Sequence, residues 1–161
     1  MKQYSADVSL DDIDLMILRE LQADSSVSNV ELARRVNLSP PATHTRVKRL
    51  EQIGIIRRYV AVLNREQLGY DMLCFITVSL QLHQPQATDR FQKAVQDMSE
   101  VLECHQVTGD YDYILKVAIR NREDLRRFLM DRLTPIEGVA QIHTRIVLNE
   151  TKSTTVLPLD D

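Results

Sequence analysis

The chain has no tryptophan and only three phenylalanines and five tyrosines in 161 residues, so any core it builds is aliphatic. Its two cysteines, Cys74 and Cys104, lie thirty residues apart and form no Cys-x-x-Cys pair. Both fall in predicted strands and are expected as buried free thiols, although spacing alone leaves a disulfide open. No run reaches the length of about 20 apolar residues that a membrane span needs. The polar N-terminus carries no apolar leader, so the expected location is the cytoplasm. His83, His105 and His143 sit on different segments without ligand spacing, so no metal site is read from them. There is no glycine-rich phosphate loop, no nucleophile elbow and no set of nucleophile, base and orienter. The chain therefore reads as neither an enzyme nor a cofactor carrier. With a net charge of −3 it is also not basic throughout.

What the chain does have is local. Residues 1–64 hold nine Lys/Arg against eight Asp/Glu, a net +1, whereas residues 65–161 hold eleven against fifteen, a net −4. Within 39–58 five basic side chains (Arg46, Lys48, Arg49, Arg57, Arg58) face Glu51 alone. Phosphate binding needs basic groups gathered on one surface, not a basic total. In the same stretch Ser28 and Glu31 have the spacing of a capping box, and Leu32, Ala33 and Val36 follow on one helical face. Asn37 suits a left-handed helix end, and Ser39 with Pro40 starts a second helix. There Thr43, Val47 and Leu50 point inward. Pro41, Ala42, His44, Thr45, Arg46, Lys48 and Arg49 are left outside, and Gly54 ends the helix. Two short helices with the second one small, polar and basic match a helix-turn-helix DNA reader. The bland alternative is a helical hairpin with a solvated basic face.

An earlier helix, capped by Asp11 and striped by Ile13, Ile17, Leu18 and Leu21, is expected to pack behind these two. Residues 55–63 are β-branched and aromatic and read as a wing strand, with Arg57 and Arg58 placed for the phosphate backbone. The predicted division is residues 1–63, a connector over 64–71, and residues 72–161. The last part alternates between periods: strand to Leu82, helix over 87–98, strand 101–107, turn, strand 111–119, helix 123–133, strand 139–148. That order, βαββαβ, is the ferredoxin-like arrangement, with one sheet face left uncovered in a monomer. Phe75, Thr77, Ile114 and Ile142 or its neighbours are expected on that face, a half-apolar surface suited to a second subunit. The fold class is thus α+β, a winged helix-turn-helix domain followed by a βαββαβ domain.

Several motifs fall in one order along the chain: Leu10-Asp11 with Asp14, Glu31-Leu32-Ala33, Leu38-Ser39-Pro40, Arg46-Val47-Lys48-Arg49-Leu50-Glu51 and Gly54-Ile55-Ile56. Val107-Thr108-Gly109-Asp110-Tyr111-Asp112-Tyr113 and Lys152-Ser153-Thr154-Thr155-Val156-Leu157-Pro158-Leu159 follow. Together they resemble the Lrp/AsnC, or feast/famine, transcription regulators, and the tail is closer to the leucine-responsive branch. The resemblance implies a sequence-specific regulator of double-stranded DNA that forms homodimers and octamers. It implies an amino-acid effector bound between dimers, with residues 108–112 as the effector loop. Thr108, Gly109, Asp110, Tyr111 and Asp112 would then form the site, with Glu137, Thr144 and Arg145 as polar candidates opposite. The loop suits such a ligand. Gly109 lets backbone N–H groups approach a carboxylate, and Asp110 and Asp112 offer charge to an ammonium group. Without the resemblance, Gly-Asp between strands is first a hairpin turn. On the DNA side, Ser39, Pro41, Ala42, His44 and Thr45 lie at readout positions. Arg46 and Arg49 are placed for guanine or phosphate, a choice the sequence does not make. An architectural DNA-wrapping protein without effector is the competing function.

Overall fold

Three capped helices open the chain in this computed structural model, which describes residues 9–81 and 85–159. Helix α1 (Asp12–Ala23) starts on a complete capping box. The Asp11 carboxylate accepts the Asp14 N–H at 2.8 Å, and the Asp14 carboxylate accepts the Asp11 N–H at 3.3 Å. Helix α2 (Asn29–Arg35) has half of the expected box. Ser28 Oγ accepts the Glu31 N–H at 3.2 Å, but the Glu31 carboxylate turns to Arg34 and Arg35. A guanidinium outbids a neutral backbone N–H for a carboxylate. Asn37 makes the turn at φ 54°, and helix α3 (Pro40–Gln52) begins on Ser39 with Pro40 at its first position. Ile17, Leu18, Leu32, Val36 and Leu50 form the core of the three helices. Thr43 is buried among them and donates its hydroxyl hydrogen to the Ser39 carbonyl at 3.1 Å.

The wing strand does not form: no strand lies between α3 and residue 72. A strand needs a neighbouring strand's N–H and C=O groups, and among the described residues no strand pairs with this segment. Val62 is 87% exposed and Leu63 68%. The stretch is tied back at its start by Ile56, whose N–H donates to the Leu50 carbonyl at 3.1 Å and whose side chain packs on the core, and by the Tyr59 hydroxyl, which donates to Glu51 at 3.1 Å.

By contacts the described residues form two units, one running to Val62 and including the tail from Ser153, the other Leu63–Lys152. The tail thus packs with the helical unit. Leu159 packs against its core, Arg19 Nε donates to the Leu159 carbonyl at 3.0 Å, and the Leu157 N–H donates to Gln22 at 2.7 Å.

The second unit runs β1 (Met72–Leu80), α4 (Pro85–Gln96), β2 (Val101–Gln106), β3 (Tyr113–Ile119), α5 (Arg122–Arg127) and β4 (Val139–Ile146). Helix α5 continues as a π-helical segment, Phe128–Leu133, closed by the Thr134 N–H on the Leu129 carbonyl at 2.9 Å. The sheet is antiparallel in the order β2-β3-β1-β4. Cys74, Ile76 and Val78 of β1 and Leu115 and Val117 of β3 pack under Phe91, Val95, Leu125 and Phe128. The Phe91 and Tyr113 rings lie 4.6 Å apart. Ile142 pairs with Val78 and so belongs to this covered face, not to the open one. The open face carries Phe75, Thr77 and Ile114 with His143, Arg145 and Lys116 as register partners, and is more polar than expected. Cys74 is buried as expected, but Cys104 is exposed because β2 is an edge strand; both thiols are free. Leu82 and His83 lie outside the described residues.

Candidate nucleic-acid interface and ligand site

Helix α3 presents two different surfaces. Pro41, Ala42, His44, Thr45 and Lys48 are exposed, as is Ser39 at its start. Lys48 holds Glu51 at 2.7 Å on the outside and remains 54% exposed. Arg57 and Arg58, beyond the helix, are also exposed. Arg46 and Arg49 are also tied inward to α1, although Arg49 stays 43% exposed. Arg46 Nη1 donates to Asp11 at 2.7 Å and to Asp14 at 2.8 Å, and its side chain is 28% exposed. Arg49 Nη1 donates to Asp14 at 3.0 Å, and its Nη2 donates to the Ser9 carbonyl at 2.8 Å. Burial works against the charge of Asp11, but the Asp14 N–H and the Arg46 guanidinium outweigh it and hold the Asp11 carboxyl below its usual value. The helical period alone puts these arginines on the outer face; a side chain long enough to reach back to α1 defeats that reading. Asn29 is a further contact the sequence did not reveal: its Nδ2 donates to the Pro40 carbonyl at 2.8 Å and ties the start of α2 to the start of α3.

On α2, Arg34 first and Arg35 second hold the Glu31 carboxyl down at about 2, against an ordinary 4.5. A depressed carboxyl stabilises the fold above its unfolded pKa, and that contribution is lost as pH falls through the folded pKa. The expected result is a Glu31 that stays ionised and paired well below pH 4.5, its carboxyl-carbon shift turning over with a midpoint near 2 in an NMR titration. A midpoint near 4.5 would show that the arginines do not hold it in solution.

In the second unit the loop over residues 107–112 is built around Gly109 at φ 120°. Space is not what demands glycine there, since a Cβ would meet nothing within 4 Å; the backbone angle is. Asp112 fastens the loop. Its N–H donates to the Val78 carbonyl at 3.0 Å, its carbonyl accepts the Val107 N–H at 2.9 Å, and its Oδ2 accepts the Leu80 N–H at 2.7 Å. Thr108, Asp110 and Asp112 are exposed and Tyr111 is half-buried. The turn before β4 is held at the same end of β1, with the Gln81 N–H on the Gly138 carbonyl at 2.8 Å. Glu137 in that turn pairs with Arg90 of α4. The structure therefore brings residues 108–112 and Glu137 to one end of the sheet. Thr144 and Arg145 are elsewhere. Thr144 pairs with Ile76, four residues back along β1 from Leu80, about 13 Å at strand spacing. It lies in a cleft with Leu129, Met130 and Ile142 on the covered face. Arg145 points to the opposite face and donates to Thr77 Oγ1 at 3.2 Å. Adjacent strand residues alternate faces, so these two cannot line one pocket of one subunit. Among the described residues no cluster of three His, Cys, Asp or Glu side chains is placed to hold a metal ion. Among them, too, no helix is long and apolar enough to cross a membrane.

A helix-turn-helix joined to a βαββαβ domain defines a DNA-binding regulator that carries its own ligand domain. Residues 10–57 match a winged helix-turn-helix DNA-binding model, and residues 73–157 match the Lrp/AsnC ligand binding domain. The chain belongs to the Lrp/AsnC family of transcription regulators and is not an enzyme. The leucine-responsive regulatory protein of Escherichia coli (strain K12) is 41% identical over 148 residues, 92% of this chain and 90% of that protein. A transcriptional regulator of Neisseria meningitidis, solved in complex with L-methionine, superposes with a TM-score of 0.91 at 38% identity over 94% of this chain and 98% of that one. The E. coli AsnC structure superposes with a TM-score of 0.82 at 30% identity, over 94% of this chain and 100% of that one.

Proposed function

We propose that this protein reads specific double-stranded DNA with α3 and that an amino acid bound by the loop over 108–112 changes its assembly or its DNA affinity. The observation that carries the reading is the exposed Thr108, Asp110 and Asp112 around Gly109 at the end of the sheet that also holds Glu137. Backbone N–H groups beside a glycine suit the carboxylate of an amino acid, and the acids suit its ammonium group. The Neisseria relative with bound L-methionine and the leucine-responsive relatives set the order of trial: methionine, leucine, then the rest. On the DNA side His44 and Thr45 are placed for base edges, Ala42 for a thymine methyl, and Lys48, Arg57 and Arg58 for phosphates.

Residues 55–63 support a homodimer, because an exposed extended apolar segment without a partner is a template for the same segment of a second copy. Two copies place two recognition helices about 34 Å apart, one turn of duplex. An octamer multiplies those contacts, so apparent affinity follows the geometry of assembly. The effector shifts that assembly by its differential affinity for the two states. A protein that works on the chromosome in this way belongs in the cytoplasm.

The test is a thermal-shift screen of the twenty amino acids on the full chain. A ligand that binds the folded state at a hundred times its Kd stabilises it by about 2.7 kcal/mol. One clear rise in Tm identifies the effector class. No rise at millimolar concentration favours the architectural reading.

A further inference from the structure

We propose that Asp14 positions the recognition helix, and that Arg46 and Arg49 act as its anchors rather than as contacts to DNA. This rests on α3 being the helix that faces DNA. Asp14 sits in the first turn of α1 with its side chain 1% exposed. Each of its two oxygens takes one guanidinium, Oδ1 from Arg46 at 2.8 Å and Oδ2 from Arg49 at 3.0 Å. Each arginine then takes a second acceptor from the same region, Asp11 for Arg46 and the Ser9 carbonyl for Arg49.

The spacing gives this arrangement its mechanical meaning. Arg46 and Arg49 are three residues apart, so they leave α3 on nearly the same side, one above the other. One attachment would let the helix swivel; two attachments to a single buried carboxylate fix both its rotation about its axis and its tilt against α1. Those are the two variables that decide which of Pro41, Ala42, His44 and Thr45 reaches a base edge. A guanidinium that swung out to a phosphate would leave the Asp14 charge buried with half of its positive partners, which a low-dielectric site penalises. Lys48 has no such tie. Its partner Glu51 is on the same helix surface, and a phosphate can replace it in water.

The experiment uses the full chain, a duplex selected by it from a random-sequence pool, and a scrambled duplex of the same composition. Affinities are measured from about 50 to 200 mM salt, the range over which phosphate contacts show most strongly. Lys48→Ala is expected to reduce the slope of log K against log salt by about one. Arg46→Gln and Arg49→Gln are expected to leave the slope unchanged and to lower the ratio of selected to scrambled affinity at least tenfold. Asp14→Asn, at a residue that never meets DNA, is expected to lower that ratio equally, and Asp14→Asn combined with Arg46→Gln to lower it no further. A slope reduced by about one in either arginine variant, with Asp14→Asn behaving as wild type, overturns the proposal. If Lys48→Ala leaves the slope unchanged, α3 is not the DNA-facing helix and the functional reading falls with it. Where circular dichroism shows that Asp14→Asn does not fold, Arg49→Lys decides. Lysine keeps the charge but lacks the rigid fork whose two nitrogens serve Asp14 and the Ser9 carbonyl separately, so selectivity drops at unchanged charge; retained selectivity means a plain phosphate contact.

Discussion

Asp112→Ala is expected to abolish the response of DNA binding to the amino-acid effector and to loosen the ligand unit at the same time. Two roles meet in this side chain. One carboxylate oxygen accepts the Leu80 N–H at 2.7 Å and keeps the loop against the end of β1. The charge is the group proposed to face the ligand's ammonium. Alanine removes both, and the lost hydrogen bond alone costs about 1 kcal/mol at an exposed position. Asparagine separates them, since its carbonyl oxygen can still accept from Leu80 while carrying no charge. Asp112→Asn should therefore melt like the wild type, bind DNA like the unliganded protein and show no effector response. Calorimetry of both variants with and without the effector, beside a DNA titration, reads all of this. A full response in Asp112→Asn would place the ammonium partner elsewhere, with Asp110 and Glu137 the next to replace.

The second large effect is expected at Leu50, the last inward residue of α3. It is fully buried among Ile17, Leu18, Leu32 and Val36. Leu50→Ala should cost about 2–5 kcal/mol. The helical unit is small, and small units bury too little surface to absorb such a loss. At about 4–8 °C per kcal/mol for a domain of this size, its melting should fall by at least about 8 °C. Scanning calorimetry of the full chain should show one transition moved down and the other, from the unit built on residues 63–152, unmoved. Specific DNA binding should vanish at the temperature of the first transition while the effector still raises the second. A single transition shifted as a whole would mean that the two units melt as one.

The parts legible in the sequence are those with a strong period or a local cap. The α3 start follows from Ser39 and Pro40, the turn from Asn37, and β1 and β3 from their alternation. What stayed hidden depends on residues far apart in the chain. Periodicity places Arg46 and Arg49 on the outer face of α3, but only the fold puts Asp14 within their reach. The Ser28–Glu31 spacing signals a capping box, yet Arg34 and Arg35 compete for the same carboxylate. Residues 55–63 have strand composition but no strand partner among the described residues. The regular part of the β1–β4 register puts Ile142 opposite Val78, on the covered face, and a sequence period cannot give that pairing. For the ligand site, the loop over 108–112 could be found as a motif. Its neighbour Glu137 could be proposed but not placed, and Thr144 and Arg145 proved to lie on opposite faces.

Arg19 and Leu159, joined by a hydrogen bond, are separated by 140 positions. Gln22 and Leu157 are 135 positions apart in the same way, whereas the contacts among the three helices themselves are short in sequence and of the kind that folds fast. On a ribosome the ligand unit, which ends at Lys152, is therefore fully synthesised before the DNA-reading unit receives its last packing partner. A polypeptide stopped by a premature termination at residue 152 would carry an intact effector domain beside an unfinished reader. In the proposed oligomer such a chain takes up places while contributing a loosened grip on DNA, so late truncations are expected to act dominantly over the full-length protein instead of merely lowering its amount.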